Sequence, residues 1–478
     1  MTEPDALNEA AWAAASSWGR EDRLNEIETL MWRSERHPRQ SSTITSLLIL
    51  DQAPDWNRFL AATEWATELI PRCRQRVLDP ALPVGTPAWV PDESFDLDYH
   101  VRRTHLPAPG TMAQLLELAQ SLAMTPFDRT RPLWEGTLVE GLEGERAAYV
   151  LKMHHSLTDG LGGIQLMSLI QSRTRKHTPN KPRPERPPDP PRFGGPGELA
   201  LTELGDQARE LPRLVTRVLG AGARAVTRPG ASLSDAVHFA GSLRRTLSPP
   251  PAAPSPLFRS RSGKAWRFQV MECQLADLKG AAKAAGGSLN DTYIAALLGG
   301  LRIYHEKHGV AIEELPMAMP VSLRKADDPM GGNKFAGAYF AAPLDVADPA
   351  ERIAAIRGIV LTLRVEPALD TFSLVAPVLN RIPSAVGGAV FDLVGSVADL
   401  SASNVPGVSH EVFMAGARVD RVFPFGPLPG VAIMAAMVTH AGTCCFGLNV
   451  DGDAVADIDV LMECMQAGLD EVLALSSP

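Results

Sequence analysis

Residues 146–170 read RAAYVLKMHHSLTDGLGGIQLMSLI and contain the most informative motif in the chain. Arg146–His154 is a largely apolar run that predicts a strand ending at a sharp loop. Gly160–Ile170 has apolar residues at helical spacing and predicts a helix directly after that loop. The sequence therefore predicts a strand, a loop and a helix in succession, with the motif HHSLTDG at the junction.

This motif has the form HHxxxDG, and its residue types suit proton transfer. Adjacent residues on a strand point to opposite faces, so only one of His154 and His155 can face a given cleft, while the other supports it. A neutral imidazole, with an unperturbed pKa near ~6.5, can take a proton from an alcohol and return it to a leaving group. This chemistry suits acyl transfer to a hydroxyl. We expect Asp159 to hold the loop through a salt bridge or hydrogen bonds, and Gly160 to leave room for a substrate.

Two other interpretations of the motif remain open on the residues alone. A metal site needs three or more ligands at suitable spacing, and the nearest further candidates, Cys73 and His177, are remote in sequence. The second alternative is a pair of histidines that are hydrogen-bonded within the core and serve only the fold. Periodicity cannot separate these alternatives from a catalytic role.

Composition limits the class of protein. The chain has 478 residues, enough for two large folding units or three smaller ones, and 45% of them are hydrophobic, as in a globular protein. The net charge of −9 makes a nucleic acid a poor candidate partner. An odd number of cysteines without metal-type spacing predicts a reducing, cytosolic compartment. The cysteines are Cys73, Cys273, Cys444, Cys445 and Cys464.

Proline-rich stretches divide the chain. Eight of the nineteen residues from Thr178 to Pro196 are proline, and a second break lies at Pro249–Pro256. We predict an N-terminal lobe at 1–178, a linker with a helical insert at 179–256 and a C-terminal lobe at 257–478. The N-terminus lacks the layout of a secretory signal. The uncharged stretch Val422–Val450 is long enough to span a bilayer, but its prolines and central turn predict a hairpin of buried strands.

The insert contains a predicted basic amphipathic helix beyond Pro212. Three arginines share one face and three apolar residues the other: Arg213, Arg217 and Arg224 against Val215, Val218 and Leu219. Such a helix can lie in an anionic lipid surface or pack on its own protein with a solvated basic face. A further helix is predicted over 288–305, with Ser288 as its N-cap.

Several motifs along the chain together resemble one family. HHSLTDG is preceded by Pro132-Leu133-Trp134 and followed by three further motifs. The following motifs are Asn290-Asp291 in SLNDTYIAAL, VSLRKADDPMGGN at Val321–Asn333 and SASNVPGV at Ser401–Val408. In this order they resemble the bacterial wax ester synthase/diacylglycerol acyltransferase family. Departures are Glu26 and Glu28 where many relatives carry an Asp, and Thr439-His440-Ala441-Gly442 in place of a Tyr-Asn-Gly turn, which leaves acceptor specificity open.

The resemblance implies a mixed α/β fold similar to chloramphenicol acetyltransferase, with two lobes and a channel between them. It implies that His155 is the general base, His154 a support, and acyl-CoA the co-substrate, with no bound cofactor and no metal. The acceptor would be a fatty alcohol or diacylglycerol, and the location cytoplasmic, at the surface of the inner membrane or of lipid inclusions. The alternatives are another hydroxyl acceptor, or a catalytically silent lipid-binding or inclusion-coating protein.

Some residues near the motifs have two interpretations. Asn290, Ser403 and Asn404 are candidate oxyanion donors or channel supports, and Asn290 and Asn404 can equally brace their own loops. Trp134 is expected to pack in the core or between the lobes. The sequence does not identify the oxyanion donors.

Overall fold

The computed structural model describes residues 18–35, 40–82, 85–177, 193, 195–205, 252–258, 260–324, 331–364, 380 and 398–476. The predicted basic helix with Arg213, Arg217 and Arg224 lies outside these residues.

The described chain alternates helices and strands. The helices are α1 (Glu26–Ser34), α2 (Trp56–Leu69), α3 (Leu97–His100), α4 (Met112–Met124), α5 (Gly160–Ile170), α6 (Leu275–Ala284), α7 (Leu289–Lys307), α8 (Pro349–Arg364) and α9 (Ile458–Leu473). The strands of the N-terminal part are β1 (Thr43–Leu50), β2 (Gln75–Leu78), β3 (Ala88–Pro91), β4 (Val101–His105), β5 (Trp134–Leu142) and β6 (Arg146–His154). The later strands are β7 (Trp266–Gln274), β8 (Glu314–Ser322), β9 (Phe335–Pro343), β10 (Leu400–Val408), β11 (Phe413–Met414), β12 (Ala417–Phe425), β13 (Ile433–His440) and β14 (Thr443–Asp451).

Two mixed six-stranded sheets form the framework. The first has the order β11-β12-β1-β6-β5-β4, and the second has the order β7-β14-β13-β10-β8-β9. Strands β2 and β3 form a separate ribbon. The predicted mixed α/β fold with two lobes is confirmed.

The elements predicted from local patterns agree with the structure. Strand β6 and helix α5 have the predicted bounds. Helix α7 begins after Ser288, whose hydroxyl accepts a hydrogen bond from the backbone N–H of Asp291, while the Asp291 carboxylate accepts from Ser288 N–H. Strands β13 and β14 form the predicted hairpin, and His440 pairs with Thr443 across the turn. Local periodicity and capping residues therefore identify these elements correctly.

The first sheet includes a segment from late in the sequence. Strand β12 pairs antiparallel with β1, with Leu47 opposite Phe423. Phe413–Phe425 thus belongs to the first sheet, although we predicted that 257–478 forms the second lobe. The linear division at 178 and 257 therefore does not hold for this segment, because strand pairing joins residues that are far apart in sequence.

Apolar clusters fill each lobe and the space between the sheets. In the cluster between the lobes, the rings of Phe268 on β7 and Phe425 on β12 stack with centroids 4.0 Å apart. Trp32, Trp89 and Trp134 belong to the core of the first lobe. Among the described residues, no helix combines the length and apolar character needed to cross a bilayer. All five cysteines are buried and free.

Candidate active site

His155 lines a cavity between the two lobes. The cavity has a volume of about 120 Å³ and lies between β1, β12 and α5 on one side and β10 and β13 on the other. We call it the His155 cavity; Asp159, Gly160 and Ser403 also line it. His155 itself is half-buried and forms part of the wall of this cavity.

The imidazole of His155 is held by a residue from the other lobe. Its Nδ1 lies 2.8 Å from Oδ1 of Asn333, which directly precedes Lys334 and β9. Asn333 Nδ2 donates to the backbone carbonyl of His155 at 2.7 Å. The amide therefore contacts both the ring and the backbone of the histidine.

The surroundings of Asn333 determine which tautomer of His155 is present. Asn333 Nδ2 faces two acceptors, the His155 carbonyl and Glu28 Oε1 at 3.2 Å, so this atom must be the NH₂ group. The atom that faces the ring is then the amide oxygen, which can only accept. Nδ1 of His155 must therefore carry the proton, and Nε2 of the neutral ring has the free lone pair.

The N-terminus of α1 positions Asn333 in turn. Glu28 Oε1 accepts from the backbone N–H of Asn333 at 2.9 Å, and Glu28 Oε2 accepts from the backbone N–H of Asn25 at 2.9 Å. Asn25 Nδ2 also donates to the Asn333 carbonyl at 3.1 Å. Burial raises the pKa of the Glu28 carboxyl, although hydrogen bonds from Asn25 and Asn333 and the charge of Arg72 oppose that rise. Asn333 is thus fixed at both its backbone and its side chain.

Burial lowers the pKa of His155 below its ordinary value. The negative charge of Asp159 and the hydrogen bond to Asn333 act in the opposite direction without reversing the shift. A lowered pKa keeps the imidazole neutral at physiological pH, which is the form that can accept a proton.

His154 lies on the opposite side of the strand from the cavity. It is fully buried, its Nδ1 accepts from the backbone N–H of Ser156 at 3.0 Å, and its Nε2 lies 3.1 Å from Glu35 Oε2. Its ring packs edge-on against Trp32 with centroids 5.8 Å apart. His154 therefore contacts the core and does not line the His155 cavity.

Asp159 connects the motif to the second lobe. Its Oδ1 accepts from the backbone N–H of Gly162 at 2.8 Å and so caps α5. Its Oδ2 lies 3.0 Å from a guanidinium nitrogen of Arg324, and both side chains are largely buried. The same nitrogen donates to the carbonyls of Gly331 and Gly332, each at 2.6 Å. These contacts hold the loop before Asn333 against the loop that carries His155.

Gly160 lies close to the second lobe. A Cβ at this position would come within 2.8 Å of Val405 Cγ2 on β10. Since Gly160 also lines the His155 cavity, a larger residue here would displace β10 or narrow the cavity.

Of the other residues singled out from the sequence, some line the His155 cavity and others lie elsewhere. Ser403 lines the His155 cavity, whereas Asn404 does not. Asn290 lies in the first turn of α7 with its Nδ2 3.7 Å from Met319 Sδ, and it also does not line this cavity. Trp134 is buried, stacks on His100 with centroids 4.7 Å apart, and donates from Nε1 to the Cys73 carbonyl at 2.8 Å.

Thr439 and His440, at the turn that departs from the family pattern, line the His155 cavity. His440 is buried, and its Nε2 lies 2.8 Å from the Val419 carbonyl. This departure therefore lies in the wall of the His155 cavity.

Three residues of the site were not identified from the sequence. Asn333 and Arg324 were part of the VSLRKADDPMGGN motif without an assigned role, and Glu28 was noted only as a departure. A signal was present for Glu28, because Asn25 and Glu28 form a capping box at the start of α1. Within the described residues, no group of three or more His, Cys, Asp or Glu side chains is arranged to hold a metal ion.

Comparisons with known proteins identify the family of this chain. A model of the wax ester synthase/diacylglycerol acyltransferase catalytic domain matches residues 23–293, and a model of the family's C-terminal domain matches residues 331–472. A Mycobacterium tuberculosis protein named "putative diacylglycerol O-acyltransferase" is 41% identical over 462 residues, covering 95% of this chain and 92% of that protein. Another from the same organism, named "probable diacylglycerol O-acyltransferase", is 32% identical over 402 residues, covering 80% and 83% of the two chains.

Solved structures show the same fold. The wax ester synthase/diacylglycerol acyltransferase from Marinobacter aquaeolei superimposes with a TM-score of 0.62 at 21% identity, covering 95% of this chain and 99% of that one. The first condensation domain of the calcium-dependent antibiotic synthetase, solved with a substrate analogue, has a TM-score of 0.62 at 14% identity, covering 95% and 96%. On the family models and the sequence identities, the chain belongs to the wax ester synthase/diacylglycerol acyltransferase family and is an acyltransferase.

Proposed function

We propose that this protein transfers the acyl group of a long-chain acyl-CoA to a fatty alcohol or a diacylglycerol, with His155 as general base. The products are a wax ester or a triacylglycerol and free CoA. Acyl-CoA enters as a co-substrate, and the reaction uses no bound cofactor. The observation that carries the proposal is the contact between His155 Nδ1 and the Asn333 amide oxygen, since it favours the tautomer that leaves the Nε2 lone pair for a substrate proton.

The reaction follows from this tautomer. Nε2 of His155 takes the proton of the acceptor hydroxyl while the hydroxyl oxygen attacks the thioester carbonyl. The tetrahedral intermediate collapses, the carbon–sulfur bond breaks, and the imidazolium returns the proton to the CoA sulfur. No covalent acyl-enzyme is needed, so the chain requires no serine or cysteine nucleophile.

Other residues have supporting parts in this scheme. Asn333 fixes the tautomer and orientation of His155, and Glu28 fixes Asn333. Asp159 holds the loop and favours the transient imidazolium through its negative charge. Ser403, which lines the cavity, is a candidate donor to the oxyanion, and Asn290 remains a candidate support away from the cavity.

The test is a panel of acceptors with palmitoyl-CoA, in which both released CoA and the ester product are measured. We expect ester formation with hexadecanol, with dipalmitoylglycerol, or with both. If the protein esterifies a different hydroxyl compound but none of these, the acceptor assignment is wrong. If it binds the lipids without any turnover, it is a lipid-binding member of the family, and the enzymatic proposal is wrong.

We also propose that the protein works at a membrane or lipid-inclusion surface, because both substrates partition into lipid. The sequence offers Arg213, Arg217 and Arg224 as the contact. Charge reversal of these three arginines should reduce binding to vesicles that contain anionic phospholipid at low salt. Unchanged binding would show that this segment is not the contact.

A further inference from the structure

A second cavity lies beside the His155 cavity, on the other side of helix α5. We call it the side cavity. It has a volume of about 370 Å³ and is bounded by α2, α5, β6 and β11. Its walls are mostly apolar: Phe59, Leu151, Leu166, Ile170, Phe413 and Met414 are among them.

The basic residues of the side cavity lie near one another, since Arg58 donates to the backbone carbonyl of Arg175, next to Lys176, at 3.0 Å. Of the residues that line it, Arg58, Lys176 and His177 can carry a positive charge, and the latter two are exposed. Burial raises the pKa of the Cys73 thiol to about 12 and also raises the pKa of the Tyr149 phenol, so both stay neutral. An interior of this kind favours an apolar ligand over water.

The two cavities share a wall. Met153 on β6 and Met167 on α5 line both cavities, and Gln171 after α5 also does so. Methionine side chains are unbranched and have three rotatable bonds, so they can move aside without a shift of the backbone. The partition between the cavities is therefore built from side chains that can open a passage.

The His155 cavity alone is too small for the substrates that we propose. At about 30 Å³ for a group the size of a water molecule, 120 Å³ holds roughly four methylene groups. The same measure gives roughly twelve groups for the 370 Å³ of the side cavity. A long chain with its reacting carbon beside His155 must therefore extend beyond that cavity.

We infer that the side cavity is a binding site for the unbranched hydrocarbon chain of one substrate, which passes from His155 between Met153 and Met167. This inference rests on the proposed function. The chain belongs either to the acyl-CoA or to the acceptor alcohol, and the same apolar walls suit both. Each methylene that leaves water for such a wall favours binding about fourfold, so the cavity sets a preference for chain length.

The Ala62→Phe variant tests this inference, because the larger side chain would fill the side cavity from α2. Ala62 is half-buried, lines the side cavity, and does not line the His155 cavity. Glu64→Phe is the matched control, because Glu64 is exposed on the same helix and lines neither cavity. Met414→Trp narrows the side cavity from β11 and provides a second variant if Ala62→Phe does not fold.

Two substrate series identify which substrate supplies the hydrocarbon chain that occupies the side cavity. One series compares butyryl-, octanoyl- and palmitoyl-CoA with a fixed alcohol, and the other compares butanol, octanol and hexadecanol with a fixed acyl-CoA. We expect Ala62→Phe to lower kcat/KM at least ~10-fold for the longest member of one series and to change it little for the shortest member. A loss of this size corresponds to two or more methylene groups that are no longer buried. Glu64→Phe should leave both series unchanged. An equal effect on short and long chains, or no effect in either series, would overturn the inference.

Binding measured by calorimetry separates this inference from the proposed function. If the wild-type protein shows no turnover but binds palmitoyl-CoA or hexadecanol more tightly than the short homologue, and Ala62→Phe removes that difference, the cavity assignment holds and the proposed function fails. If turnover occurs but Ala62→Phe does not change the chain-length profile, the cavity assignment fails alone. If there is neither turnover nor chain-dependent binding, both fail.

Discussion

The two nitrogen atoms of the His155 ring have different surroundings. Nδ1 faces an amide oxygen, and Nε2 belongs to a ring that lines the cavity between the lobes. The amide orientation follows from the two acceptors that surround the other end of Asn333. In the proposed reaction the lone pair of the general base must be directed at the substrate, and Asn333 would then be a positioning residue for His155.

Replacement of Asn333 by Ala should reduce kcat roughly 100-fold, the loss expected when a catalytic group is displaced by about 1 Å. The KM for acyl-CoA should change little, because the amide contacts His155 and Glu28 and does not line the cavity. Steady-state kinetics with palmitoyl-CoA and hexadecanol checks both values.

A second buried asparagine provides the control for this prediction. Asn380 Nδ2 donates to the backbone carbonyl of Glu26 at 2.7 Å, so Asn380→Ala also removes a buried amide that contacts α1. We expect Asn380→Ala to lower the unfolding temperature without a comparable change in kcat. Equal losses of kcat in the two variants would mean that Asn333 serves only the fold.

The lowered pKa of His155 predicts the acid limb of the pH profile. Because burial disfavours the imidazolium, the ring stays neutral below its ordinary pKa of ~6.5. The profile of kcat/KM for the free enzyme should therefore stay level as the pH falls through ~6.5 and decline only at lower pH. A midpoint at or above ~6.5 would contradict the burial of this ring in the folded enzyme.

At the level of elements, side-chain contacts connect the N-terminus of helix α5 to the loop before β9. Asp159 caps α5 and pairs with Arg324, which also holds the carbonyls of Gly331 and Gly332. Both glycines have positive φ angles, 81° and 65°, so the backbone that leads to Asn333 takes a conformation that favours glycine. The ion pair thus connects the residue before α5 to the loop before β9.

Removal of both partners of this pair should lower the free energy of unfolding by less than the two single removals added together. Asp159→Asn or Arg324→Met alone removes the opposite charge from a largely buried ion pair, with an expected loss of about 3 to 5 kcal/mol in the free energy of unfolding. The double variant should lose less than the sum of the single variants. Chemical denaturation of the four proteins measures this coupling, and strictly additive losses would contradict it.

The Asp159→Asn variant also has a kinetic consequence. The Asp159 charge raises the pKa of His155, so its removal should move the acid limb of kcat/KM further down in pH. A change in stability alone would not move this limb.

The sequence predicted local elements better than contacts between distant ones. Strand β6, helix α5 and the Ser288 cap depend on residues that are close together in sequence, so periodicity and capping are sufficient to find them. The contact of Asn333 with His155 joins residues 178 positions apart, and no local pattern records it. The fold class and the proposed role of His155 came from the family resemblance, because the histidine pair alone left metal and structural interpretations open.

For the whole molecule, the first sheet depends on a strand from the late part of the sequence, because β12 pairs with β1. Strand β1 pairs with β6 on one side and with β12 on the other, and Val419 and Phe423 of β12 are buried in the cores. Without β12, one edge of β1 would present unpaired backbone groups. The site is likewise shared, since His155 lies in the first lobe and Asn333 in the second.

Expression of residues 1–178 alone should therefore give a fragment without cooperative unfolding. Circular dichroism during heating checks this expectation. Co-expression with residues 257–478, which supply β12, should restore a cooperative transition. A cooperative transition for 1–178 alone would show that the first sheet is stable without the late strand.

In the proposed reaction Nε2 of His155 accepts the proton of the acceptor hydroxyl, so turnover should depend on this imidazole, and the His155→Ala variant measures that dependence. Release of CoA from palmitoyl-CoA in the presence of hexadecanol, with ester formation measured in parallel, gives the rate. We predict a loss of at least ~100-fold relative to the wild-type chain with the fold retained. A folded His155→Ala variant that forms ester within a few-fold of the wild-type rate would show that His155 is not the general base.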